Sequence, residues 1–192
     1  MNKLIIISAP SGAGKTTLCK RLLKEFPDKL EVSISSTTRA PRGEEKNGDD
    51  YFFITKEQFE KEIKDNNFSE WALVHGNYYG TTKAIIENTF KSGKSVLLDI
   101  DVQGANSLHK NYQEKCIRFF ITTPNLNELR VRLQSRGTDS EEVIEKRIKN
   151  AESELEKAKE FDYTIINENI DTAYQKLKDI LFKELNWTLN NE

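Results

Sequence analysis

With 192 residues the chain can bury one good core, so a single domain carrying inserted subdomains is expected rather than two domains. A net charge of −2, from 29 Lys and Arg against 31 Asp and Glu, argues against a broad basic footprint for nucleic acid. A mean hydropathy of −0.67 and short apolar runs exclude a membrane-spanning segment, and nothing at the N-terminus reads as a signal peptide.

The first strand is expected over residues 4–8, where Leu4-Ile5-Ile6-Ile7 leads straight into a glycine-rich turn. That turn, Ala9-Pro10-Ser11-Gly12-Ala13-Gly14, followed by Lys15-Thr16-Thr17 opening a helix, reads as a P-loop. Gly12 and Gly14 let successive backbone N–H groups point into one concavity, and the helix adds the positive end of its dipole. Lys15 supplies a mobile cation for terminal phosphates, and the Thr16 hydroxyl suits Mg²⁺. The strict pattern begins with Gly where Ala9 stands, a change tolerable only if Ala9 keeps a negative φ. The following helix is expected over 17–26, with Leu18, Leu22, Leu23 and Phe26 facing inward and Pro27 ending it. Cys19 within it and Cys116 far downstream sit among apolar residues, as reduced buried thiols of a cytoplasmic protein do.

A short strand over 32–35 comes next. Residues 36–82 then break the alternation with polar loops, aromatic strands over 51–54 and 68–74, and a short helix beginning near Thr55, a small, partly antiparallel insert. Arg39 and Arg42, three residues apart with Pro41 stiffening the turn, have the paired guanidinium chemistry that grips a second phosphate. Tyr51 and the Tyr78-Tyr79 pair between glycines offer phenolic donors to an anion. The spacing of Glu70 alone fits an ordinary solvated strand carboxylate.

Strands over 95–100 and 116–122 are near-continuous apolar runs, as buried parallel strands should be, and 163–167 is the last. Strand–helix alternation of this kind predicts an α/β fold with a parallel sheet covered on both faces. Asp99 ends an apolar strand at a Walker-B-like place for orienting Mg²⁺ or its waters. Strand geometry would put Asp101, two residues on, on the same side. Residues 125–161 are helical and charged; Asn125 with Glu128 and Asp139 with Glu142 look like capping boxes. Ile144, Ile148, Ala151, Leu155 and Ala158 form a narrow apolar stripe that suits a lightly held lid as well as an ordinary surface helix. Ile170, Tyr174, Leu177 and Leu181 mark the closing helix. His75 and His109 sit at no metal-ligand spacing and read as surface or packing residues.

The chain resembles the guanylate kinase family over residues 2–185. The resemblance rests on Ser-Ala-Pro-Ser-Gly-Ala-Gly-Lys at 8–15, Ser-Ser-Thr-Thr-Arg-Ala-Pro-Arg at 35–42 and Asn-Gly-Asp-Asp-Tyr at 47–51. It continues through Gly-Asn-Tyr-Tyr-Gly-Thr at 76–81, Asp-Ile-Asp-Val-Gln-Gly at 99–104 and Arg-Gly-Thr-Asp-Ser-Glu-Glu at 136–142. Departures are few: Ala9 replaces the first loop glycine, as in many bacterial members, and Thr81 stands where some members have serine. The resemblance implies a P-loop kinase fold: a five-stranded parallel sheet flanked by helices (1–34, 83–124 and 162–192), a mixed-sheet GMP-binding insert over 35–82, and a helical lid over 125–161. It implies transfer of a phosphoryl group from ATP to GMP, with Mg²⁺ as cofactor. The choice between GMP and dGMP, and between monomer and homodimer, stays open. By resemblance Arg39, Arg42, Tyr51 and Tyr79 hold the GMP phosphate, and Ser35, Glu70, Thr81 and Asp101 read guanine. Lys15, Arg39 and the lid arginines Arg132, Arg136 and Arg147 act on the transferring group.

Guanine's edge agrees with this assignment. Its N1–H and 2-amino donors suit the carboxylates, and O6 suits the hydroxyls. Two readings compete. Asp101-Val102-Gln103-Gly104 matches the switch pattern of GTPases, but no Asn-Lys-x-Asp or Thr-Lys-x-Asp occurs. Guanylate-kinase-like domains that only bind phosphopeptides typically lack a working P-loop, which is present here.

Overall fold

Leu4–Ser8 (β1) is apolar on both sides, and only a strand covered on both faces buries both rows. The computed structural model, which describes residues 2–74, 76–135, 137 and 139–188, puts it at the centre of a five-stranded sheet. The order is Leu30–Val32 (β2), Ser95–Asp99 (β7), β1, Cys116–Thr122 (β8) and Tyr163–Ile166 (β9), all parallel. Ile5 and Ile7 face the helices Lys15–Glu25 (α1) and Ile170–Leu185 (α7), meeting Leu18, Leu22, Leu177 and Leu181. Leu4 and Ile6 face the opposite side, where Lys83–Lys91 (α3) and Val102–Tyr112 (α4) contribute Ile86, Ala105 and Leu108. Each such leucine or isoleucine taken wholly from water stabilises the fold by roughly 1.5–3 kcal/mol.

β2 is shorter and earlier than the sequence suggests. After Ser33 donates its N–H to Leu97 O at 2.9 Å, the chain leaves the first sheet and enters the second as Ser36–Thr37 (β3). Ser35 therefore lies at the crossing between the sheets. The second sheet runs Phe52–Phe53 (β4), β3, Asn77–Thr82 (β6), Phe68–Val74 (β5), and it is mixed: β3 and β4 are parallel and the other pairs antiparallel. The helix Lys56–Lys64 (α2) closes its outer side. Thr55 and Gln58 form a full capping box there, and Phe59 stacks on Phe68 and Tyr78 with centroids 4.3 and 5.1 Å apart.

Leu126–Ser135 (α5) and Glu141–Lys157 (α6) form a third unit, a small cluster of Leu129, Leu133, Ile144, Ile148 and Ala151. Leu155 and Ala158, the far end of the expected stripe, pack on the main sheet instead. Asn125 caps α5 through the Glu128 N–H, whereas α6 is capped by Ser140, which accepts the Val143 N–H, and not by Asp139, which Arg147 engages at 3.2 Å. Cys19 and Cys116 are buried free thiols, pushed by burial up to about 12 and about 11. No helix among the described residues is long and apolar enough to cross a membrane.

Candidate active site

The loop between β1 and α1 is shaped by two glycines in the left-handed region, Gly12 at φ 101° and Gly14 at φ 95°. Ala9 stays outside that region, so its methyl is tolerated. Gly14 is the N-cap of α1, which places Lys15 and Thr16 in the first turn rather than before the helix. The loop is braced from below. Asn167, at the end of β9, donates its side-chain N–H to Ala13 O at 2.7 Å, and a Cβ on Gly14 would collide with that amide. Asn167 is a residue that the motifs did not reveal, since its partner lies 154 positions away.

Above the loop opens a cleft of about 610 Å³ lined by Ala9, Pro10, Ser11, Gly12, Gly14, Lys15, Thr16 and Thr17 on one side. Arg39, Arg42, Tyr51, Tyr79 and Asp99 line the other. Lys15 pairs with Asp99; burial opposes its charge, and the carboxylate more than restores it. Arg39 donates from Nε to the Tyr79 hydroxyl at 3.2 Å and from Nη2 to Glu45 at 2.9 Å, with Tyr51 beneath its guanidinium at 5.4 Å. The second Glu45 oxygen accepts the Arg42 N–H at 2.8 Å. Glu45 thus brings both arginine positions around one anionic group, and Arg39 holds its carboxyl below the ordinary range.

A second cavity, of about 220 Å³, adjoins the first and shares Lys15, Tyr51, Tyr79 and Asp99 with it. Ser35, Glu70 and Asp101 converge in it. Glu70 is 6% exposed, not the solvated carboxylate its spacing suggested. Burial pushes it up to about 7; Thr81 opposes that shift in part, and Asp101 adds to it. Thr81 pairs with Glu70 across the strands and is wholly buried, its hydroxyl lacking a well-formed hydrogen bond. Asp101 faces the cavity for a different reason than strand geometry, because β7 ends at Asp99. Asp101 is the N-cap of α4, accepting the Gly104 N–H at 2.9 Å.

On the α5–α6 side, Arg147 donates to the Ser11 hydroxyl of the loop and to Asp139. Arg132 does not line the cleft; it donates to Glu128 at 3.0 Å and to Glu168 O at 3.3 Å. Arg136 and His75 lie outside the described residues. His109 lies at the opposite end of the sheet, in a cavity with Lys3, Cys116 and Glu184. Glu154, two turns on from Arg147 on the same face of α6, lines the cleft and is pushed up to about 7, chiefly by burial; no motif singled it out.

A glycine-bent loop at a helix N-terminus and a buried acidic cavity thus adjoin in one cleft. A family model described as guanylate kinase matches residues 1–184. The chain belongs to the guanylate kinase family. The guanylate kinase of Campylobacter jejuni is 48% identical over 178 residues, 93% of this chain and 87% of its own length. That of Porphyromonas gingivalis is 46% identical over 179 residues, 93% and 95% of the two chains. The crystal structure of guanylate kinase from Anaplasma phagocytophilum superposes with a TM-score of 0.79 at 32% identity, covering 97% of this chain and 88% of that one. The chain is accordingly an enzyme of this family, phosphorylating GMP at the expense of ATP. Neither a silent binding module nor a GTPase switch finds support among these relatives.

Proposed function

We propose that the phosphoryl transfer is direct and in line, and that the residues divide the work by cavity. The observation that carries this reading is the joining of the two cavities through Lys15, Tyr51, Tyr79 and Asp99. One phosphate chain enters from each side, and the reacting atoms meet where those residues stand. The loop N–H groups over 9–17 cradle the ATP phosphates, and Lys15 exchanges Asp99 for the terminal phosphate. Arg39, Arg42, Tyr51 and Tyr79 hold the GMP phosphate where Glu45 now sits. Glu70 and Asp101 accept from guanine N1–H and the 2-amino group, with Ser35 and Thr81 supplying hydroxyls. Arg147, Arg132 and Arg136 close on the transferring group.

Thr16 and Asp99 line the same cleft and offer hard oxygen donors, which fit Mg²⁺ with its remaining positions left to water and phosphate. When bound there, the ion neutralises charge on the terminal phosphates. No general base is needed, because a phosphate monoester with a second pKa near 6 is already an anion at neutral pH. The unit boundaries fit this division: core 1–34, 83–124 and 162–192, GMP-binding insert 35–82, lid 125–161. A cytoplasmic enzyme, monomer or homodimer, without a nucleic-acid or membrane partner, is the setting that composition favours.

A coupled assay with MgATP and each nucleoside monophosphate in turn tests this. GMP should be turned over, IMP poorly and AMP least, with discrimination on the order of 10⁴ where a buried partner is left unpaired. Equal use of AMP and GMP would remove the guanine assignment. Lys15→Ala should fold normally and lose turnover by orders of magnitude.

A further inference from the structure

We propose that Gly104 is a positioning residue for guanine selection, its missing side chain providing the seat of the Glu70 carboxylate. The inference rests on the reading of Glu70 as a base-contacting group. Gly104 lies buried in the first turn of α4, where glycine costs roughly 1 kcal/mol against alanine. Its backbone does not require glycine, for its φ is outside the left-handed region that Gly12 and Gly14 occupy. Space is what requires it. A Cβ at this position would stand 2.8 Å from Glu70 Oε2 and 3.3 Å from both Glu70 Cδ and Asp101 Oδ1. Two carboxylates, one from β5 and one from the cap of α4, therefore close over the same bare Cα.

The identity of the obstructing atoms separates this glycine from the packing glycines. At Gly80 a Cβ would strike the rings of Phe59 and Phe68 at 2.9 Å, and the α2 packing itself would have to move. At Gly104 the nearest obstacle is the far end of one side chain, beside an open cavity of about 220 Å³. An added methyl would push the Glu70 carboxylate into the space reserved for the base. The helix and sheet would tolerate that shift, whereas the site would not.

The experiment is a double-mutant cycle with Gly104→Ala and Glu70→Asp, reading kcat and KM for GMP and IMP and the melting temperature. Gly104→Ala should keep or raise Tm, raise KM for GMP by about tenfold or more, leave kcat within about threefold, and shrink the GMP-to-IMP preference. Withdrawing the carboxylate by one methylene makes room for the Cβ, so Gly104→Ala should cost less in the Glu70→Asp background. An unchanged KM and preference in Gly104→Ala overturns the proposal. So does an equal cost in both backgrounds, or a variant that fails to fold, which would make Gly104 a packing residue. A wild type that does not prefer GMP to IMP removes instead the reading of Glu70 on which it rests.

Discussion

In the function proposed above, Glu70 concentrates the chemistry of base selection in one titratable group. Burial among Ser35, Ala72 and Asp101 raises its pKa to about 7, so near neutral pH it is divided between a form that accepts from guanine and one that does not. The kcat/KM for GMP should therefore rise with pH through about 7. Part of any such rise below that comes from the GMP phosphate, with its second pKa near 6, and Glu70→Gln should retain only that part. Glu154→Gln should retain the step near 7 if Glu70 causes it. Stability follows the opposite course. A carboxyl whose folded pKa lies above its unfolded value binds more protons in the native state, so stability falls as pH rises from about 4.5 through about 7. Thermal melts at pH 5 and pH 8 should show Glu70→Gln gaining on the wild type at the higher pH, by roughly 1–3 kcal/mol at most. A constant difference across that range would show that the two states hold the carboxyl alike.

At the scale of elements, the phosphate loop is held by things that are not in the loop. Asn167 grips Ala13 from β9, and Leu129 and Leu133 of α5 close against Gly12. Asn167→Ala removes a buried hydrogen bond worth about 1–3 kcal/mol when one partner is left unmet. Steady-state kinetics should show KM for ATP rising about tenfold while KM for GMP hardly moves. If Arg147 closes on the transferring group as proposed, Arg147→Ala should do the reverse of a binding defect: kcat falls about 10²-fold or more while KM for GMP changes little. An effect confined to KM for GMP would place Arg147 on the wrong phosphate. These bracing contacts also mark what the sequence could and could not disclose. β1, β7 and β8 were legible because a strand buried on both faces is apolar throughout, and the loop was legible because its glycines and Lys15 are neighbours in sequence. β2 and β4, at three and two residues, were drawn too long because the turn from one sheet to the other decides where they stop. Glu70, Asn167, Glu45 and Gly104 carry no periodic signal; each matters through a partner in space. Resemblance, not pattern, singled out Glu70; Gly104 stood in a motif whose reason only the fold supplies, and Asn167 and Glu45 emerge only from the folded chain.

On the scale of the whole molecule, the two units that flank the cleft are attached to the core unequally. The second sheet is tied down through α4, where Asn111 donates to Ser69 O at 2.9 Å and Tyr112 meets the Ser69 hydroxyl at 2.9 Å. The α5–α6 pair has a cluster of its own, Leu129, Leu133, Ile144, Ile148 and Ala151, separate from the clusters on the two faces of the main sheet. Among the described residues its polar ties to the core include Arg147 on Ser11 and Arg132 on Glu168 O. A unit with a small core of its own opens at lower free-energy cost than the central sheet, and ligands that bridge it to the core suppress that opening. Amide hydrogen exchange over residues 125–161 should therefore slow modestly with GMP or a non-hydrolysable ATP analogue alone, and markedly with both. Only the pair supplies phosphates on both sides of the arginines. Exchange over β1 and β8, buried at the centre of the main sheet, should slow only by the increment that ligand binding adds to global stability, with no extra effect of the pair beyond that increment. Protection that is the same for the pair as for the ATP analogue alone would show that the helices answer to the triphosphate only. The acceptor would then be enclosed by the second sheet rather than by closure of α5 and α6.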